Sequence, residues 1–174
     1  MTKRKIFISY YHQEESYKQQ FENLFDDIIV NKSVKEKDID KSNHSRYTDQ
    51  LIRDEYINQA TILVVLIGQK TRCRKHVDWE ISAALSHDVG DVYAGLVGIR
   101  LKEHSDYGLG EKYNCNNIPK RLANNLETGY ASIHDWTDDI NEMKAILDTA
   151  FKRRKSHEEK RVNSLPQMQE NTCN

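Results

Sequence analysis

Glycine is missing from the front of this chain: none of the seven precedes Gly68. That excludes a G-x-G-x-x-G turn after the first strand, because such a turn uses glycines to bring backbone against a pyrophosphate. A glycine- and hydroxyl-rich flavin phosphate loop is absent from the same point. So are the clustered acids of a phosphate-accepting receiver domain. What stands there is Ser9-Tyr10-Tyr11-His12. The later Gly108-Leu109-Gly110 follows no strand-to-helix junction and reads as a loop.

Long apolar runs are also lacking. The longest is the six-residue Ile62-Leu63-Val64-Val65-Leu66-Ile67, against roughly 20 residues needed to cross a bilayer. After the basic Met1-Thr2-Lys3-Arg4-Lys5 only Ile6-Phe7-Ile8 is apolar, short of the roughly 7–15 of a secretory signal. A cytoplasmic protein without membrane partners is expected. Neither sign of charge dominates: 26 basic and 27 acidic residues leave a formal net charge of -1, which offers no electrostatic footing for nucleic acid. Cysteines are few, odd in number and scattered (Cys73, Cys115 and Cys173). They suit free thiols in a reducing compartment better than a disulfide framework. Cys73 and His76 have a metal-compatible spacing, but no second ligand pair lies nearby, so no metal is expected.

What is present alternates between two periodicities. Residues 5–10 read as a strand covered on both faces. A helix follows over about 14–30, with Tyr17, Phe21, Leu24, Phe25 and Ile28 on one stripe. Residues 31–46 are polar, with a short strand near 33–35 and turn formers from Asp38 to Ser45. A helix capped by Ser42 or Ser45 runs to about Gln59. Then come a central strand over 62–67, a helix over 75–87 and a strand over 92–101, whose Gly95 and Gly98 point to close packing. A short helix over 120–126, an edge strand at 130–133 and a helix from the cap Thr137 to about Arg154 complete the pattern. Such alternation predicts one α/β domain over 1–155, a doubly wound parallel sheet of about five strands in three layers. The polar tail, 156–174, has little to bury and is expected to be mobile or irregular.

Several short segments, in order, carry a resemblance. Phe7-Ile8-Ser9-Tyr10-Tyr11-His12-Gln13-Glu14 looks like the F-I-S-Y opening of Toll/interleukin-1 receptor (TIR) domains. Val64-Val65-Leu66-Ile67-Gly68 through Thr71 resembles their third strand and its loop, and Arg74-Lys75-His76-Val77-Asp78-Trp79-Glu80-Ile81 their W-V-x-x-E-I helix start. Ile118-Pro119-Lys120-Arg121-Leu122, Gly129-Tyr130-Ala131 and Trp136 are similar to a bacterial TIR-like subfamily. It includes the TIR-like partner protein of the Thoeris anti-phage defence system. One departure is that His76 stands where the family has tryptophan, while Trp79 lies beside the glutamate.

The resemblance, over about 5–154, implies a flavodoxin-like fold and cleavage of NAD at its nicotinamide–ribose bond by Glu80. NAD is then the substrate, and no separate cofactor is implied. Val77, Ile81, Ala84 and Leu85 define the buried side of the helix, and Glu80 falls at its margin, in what reads as the first turn. A single carboxylate suffices chemically, because nicotinamide leaves as a neutral molecule and positive charge builds on the ribose. The plainer reading is a solvated helix-start acid. Ser9, Tyr10, Tyr11 and His12, at the mouth of the first strand, are candidate substrate contacts, as are Asp40, Asn43 and His76. The tyrosines read equally as cover for the sheet, and Asp40 and Asn43 as exposed turn residues. The expected product is an ADP-ribose-derived signal, hydrolysed, cyclised or transferred to another acceptor, that reaches a downstream effector, with self-association through TIR surfaces. Two other functions share the pattern: a non-catalytic interaction adaptor and a plain NAD hydrolase.

Overall fold

Six consecutive apolar residues cannot alternate between water and a core, so they need cover on both sides. Ile62–Ile67 forms strand β3 with every residue fully buried. In the computed structural model, which describes residues 2–33, 55–86 and 93–173, β3 is the centre of a five-stranded sheet. The other strands are β1 (Arg4–Ser9), β2 (Ile29–Asn31), β4 (Gly95–Arg100) and β5 (Ser132–Asp135). Their order is β2-β1-β3-β4-β5, and every pairing is parallel. The register Ile8↔Val64↔Val97↔Ser132 runs across four of them. This is the doubly wound α/β arrangement that the alternating pattern predicts, in the flavodoxin-like form that the resemblance implies.

Strand parity divides the core. Ile62, Val64 and Leu66 join Ile6, Ile8, Val97 and Ile99 on one face, under helices α1 (Glu15–Phe25) and the last helix, Ile140–Ser156. Leu63, Val65 and Ile67 join Phe7 and Leu96 on the other, under α2 (Lys75–Ser86) and α3 (Lys120–Thr128). The last helix, α4, contributes Met143, Ile146, Leu147 and Ala150, each large side chain contributing about 1.5–3 kcal/mol by burial. The expected close packing at the two β4 glycines is present. A Cβ on Gly95 would lie 2.3 Å from the Ala150 carbonyl oxygen, and one on Gly98 2.9 Å from Ile67 and Leu122 methyls.

Four expectations need correction. The first helix ends at Phe25, and Ile29–Asn31 is strand β2; Ile28 and Ile29 are both buried, so a strand pattern extends the helical stripe without a break. Of the short strand expected near 33–35, residues 34 and 35 lie outside the described ones. The cap of α4 is Asp139, whose Oδ1 accepts from the amides of Asn141 and Glu142. Thr137 sits two residues earlier, accepting from the Asp139 amide and donating to Glu142.

Cysteine pairing is the third correction. Cys73 and Cys173 are joined by a disulfide across 100 residues of sequence, which also commits the one thiol that stood at a metal-compatible spacing. Cys115 is free and exposed. The tail is the fourth. It is irregular, as its composition suggests, but docked. Val162 exchanges hydrogen bonds with the Asn125 side chain, Arg161 donates to the Leu85 carbonyl, and Thr172 donates to the Cys73 carbonyl. Hydrogen bonds to buried groups, with the disulfide at its far end, hold it in place.

Candidate functional site

Ser9 is the last residue of β1, on the α2 side of the sheet by strand parity, and it is fully buried. Glu80 lies on α2 between the core positions Val77 and Ile81 and is 4% exposed. The Ser9 hydroxyl donates to Glu80 Oε2. The helix begins at Lys75, so Glu80 is in its second turn rather than the first, and the first-turn acid is Asp78. The solvated reading of Glu80 therefore gives way to an enclosed carboxylate, which a protein keeps only where hydrogen bonds hold it.

One turn before Glu80, His76 meets the same strand end: its Nε2 is 2.9 Å from the Tyr10 carbonyl oxygen. His76 and Glu80 are four apart and so share a helix face. Trp79 turns elsewhere, donating from Nε1 to the Met168 carbonyl of the tail. His76, not Trp79, thus stands beside the glutamate on the sheet side.

The tyrosines part company. Tyr10 is half-buried, with its hydroxyl 2.5 Å from a Glu15 carboxylate oxygen. Tyr11 is buried, and the Arg74 guanidinium lies 4.0 Å from its ring centroid. Exposed His12 meets the Tyr11 ring edge-on at 4.4 Å. Asp40 and Asn43 lie outside the described residues.

A second acidic group sits at the same end of the sheet. Glu14 packs on Gly68, where a Cβ would fall 2.1 Å from its Oε1. A side chain at that position, just after β3, would have to displace the Glu14 carboxylate. Burial, and then the nearby Glu103 carboxylate, hold the Glu14 carboxyl above its ordinary value. Tyr17 donates to both Glu103 oxygens, at 2.9 and 2.7 Å. Its phenol is pushed up to about 12 by burial and by that carboxylate. The strands thus deliver one enclosed and one half-exposed carboxylate near their C-terminal ends, where ligands of open parallel sheets bind.

The family model of the TIR-like domain of Thoeris protein ThsB matches residues 7–106, a span that takes in β1, β3 and α2. The chain belongs to this family. No curated protein matches it closely enough to serve as a relative. The matched span of this ThsB-type TIR-like chain contains Ser9, Tyr10, Tyr11, His12, His76 and Glu80. The segments 118–122 and 129–136, which also resemble the subfamily, lie beyond it. None of the described helices is long and apolar enough to cross a membrane.

Reading the sequence missed the ion pair behind Glu80. Arg121 on α3 and Asp78 on α2 are buried together, with Nε to Oδ1 at 2.9 Å and Nη2 to Oδ2 at 3.2 Å. The remaining Arg121 donors reach Asn163 Oδ1 and the carbonyls of Leu165 and Pro166. The Met168 amide donates to Asp78 Oδ2. Arg121 therefore ties α2, α3 and the tail together. A single arginine in the polar start of a helix carries no periodic signal, although the residues that follow it, Leu122 and Ala123, are apolar.

Proposed function

We propose that this chain cleaves NAD at the nicotinamide–ribose bond and that its ADP-ribose-derived product signals to a downstream effector in anti-phage defence. The observation that carries the reading is the enclosed Glu80 carboxylate, held by the Ser9 hydroxyl at the mouth of β1. An acid left to water would serve the helix dipole alone. One enclosed and oriented is suited to face positive charge.

The chemistry asks little else of the protein. Nicotinamide departs with the bonding electrons and becomes neutral, so no acid has to protonate it. The ribose is left with oxocarbenium character, as in glycoside hydrolysis. A carboxylate already fixed near the ribose hydroxyls stabilises that charge without reorganising as it develops. Ser9 positions the carboxylate, and His76, bonded to the Tyr10 backbone, keeps the strand end and the helix in register. The half-buried Tyr10 ring and exposed His12 offer faces for the departing ring or the adenine.

The test is nicotinamide release from NAD by wild type and Glu80→Gln. Glutamine keeps the size and can still accept from Ser9, so the fold should survive. A rate lower by at least about 100-fold, the scale of a lost electrostatic stabiliser, at an unchanged melting temperature supports the reading. Equal turnover by the two proteins refutes it. Mass spectrometry of the product separates hydrolysis from cyclisation.

A further inference from the structure

Arg74 is 9% exposed, yet its guanidinium makes no hydrogen bond or ion pair with any described residue, and its buried Nε has no partner. The stack on Tyr11 satisfies one face of the guanidinium. It leaves the N–H donors, which lie in the plane of the group, unanswered. Buried arginines are ordinarily paired, because an uncompensated charge is expensive to keep out of water.

Arg74 lines a cavity of about 260 Å³ together with Arg72, Lys120, Pro119, Leu165 and Met168. Asp78 also borders it, but its oxygens are already engaged by Arg121 and the Met168 amide. Three cations thus face the space with no free carboxylate among its lining residues. Arg72 and Lys120 also line a second, larger hollow of about 580 Å³, whose wall includes Tyr113, Asn116 and Asn124. The two spaces share a charged boundary. One is small, cationic and roofed by the tail; the other is wider, with an aromatic ring, two amides and, away from that boundary, the Glu127 carboxylate beside Tyr113.

We propose that this pair of cavities binds a nucleotide-sized organic phosphate. Its phosphoryl oxygens sit on Arg72, Arg74 and Lys120, and its ring-bearing portion lies in the hollow beside Tyr113. Arginine's planar fork suits phosphoryl oxygens, and the apolar Pro119, Leu165 and Met168 exclude water from the contact. The site is separate from the Ser9–Glu80 pair. It is assembled in part by the tail, because Thr172, next to the disulfide, is one of its walls.

The test is isothermal titration of the oxidised protein in phosphate-free buffer, with AMP and inorganic phosphate as probes. The proteins compared are wild type, Arg72→Gln/Lys120→Gln and Glu80→Gln. Arg72 and Lys120 are exposed, so their replacement leaves the core alone. The expected result is AMP binding at least about tenfold tighter than phosphate. It should weaken at least about tenfold in the double variant, since charge-assisted contacts are each worth that much, and stay unchanged in Glu80→Gln. Three results overturn the proposal: no AMP binding by wild type, AMP no tighter than phosphate, or binding that survives the double variant. Loss in Glu80→Gln with retention in the double variant would place the nucleotide at the Ser9–Glu80 pair instead and also overturn it.

Discussion

Replacing Arg121 with methionine removes the α3 side chain that bonds both α2 and the tail. Arg121 is 1% exposed and Asp78 4%, so the variant leaves a carboxylate enclosed with the Met168 amide as its remaining contact among those described here. Breaking a buried pair from one side costs about 3–5 kcal/mol. In a domain of this size each kcal/mol moves the melting point by about 2–4 °C, so a fall of about 6–20 °C is expected. Asn163 Oδ1 and the carbonyls of Leu165 and Pro166 lose their donor as well. Amide exchange at Val162 and Met168 should therefore quicken more than exchange along β3. Urea denaturation gives the global number, and hydrogen exchange gives the local one. Asp78→Leu combined with Arg121→Met should recover part of the loss, because two apolar partners leave no stranded charge. A single variant that loses less than about 1 kcal/mol and keeps its tail amides protected would refute the account of Arg121 as the tie.

Three further outcomes follow from the fold. Cys173→Ser opens a 100-residue span, for which chain entropy gives about 4.7 kcal/mol and practice about 2–4. Its urea midpoint should fall to that of the reduced wild type, and a midpoint equal to the oxidised protein would contradict the bond's role. Gly95→Ala places a methyl 2.3 Å from the Ala150 carbonyl oxygen and must push α4 off the sheet. A loss of about 1–3 kcal/mol or more is expected, and an unchanged melting curve would rule out that packing. Because the Glu14 carboxyl is raised above its ordinary 4.5, the folded state holds its proton more firmly than the unfolded chain. The resulting stability is complete at pH below 4.5 and is lost as pH rises through the higher folded value. Glu14→Gln should flatten that decline, and the same pH slope in both proteins would count against it.

The parts of the fold legible in the sequence are those governed by apolar pattern. Ile62–Ile67 stands out because burial on both faces admits no polar interruption, and α2 because Val77, Ile81, Ala84 and Leu85 recur on one side. Glu80 could be placed at the edge of that stripe, but its enclosure depended on Ser9, whose facing is set by strand register 71 residues away. β2 was hidden because Ile28, Ile29 and Val30 continue a helical stripe as readily as they make a three-residue edge strand. The docked tail was hidden for the opposite reason. Its anchors are Asn163, backbone carbonyls and a cysteine, which carry no hydropathy signal at all. Arg121 and Asp78 look like ordinary surface charges until the two helices that bear them are brought together.

The bond between Cys73 and Cys173 turns everything from the start of α2 to the end of α4 into a covalent ring. One backbone cut inside that ring leaves both fragments attached, so a nicked molecule migrates as a single species until a thiol reagent is added. Fragments produced by such a cut stay tethered while they repack. The closure also gives the molecule a built-in record of its surroundings: the ratio of ring to open chain on a non-reducing gel reports the redox history of the sample.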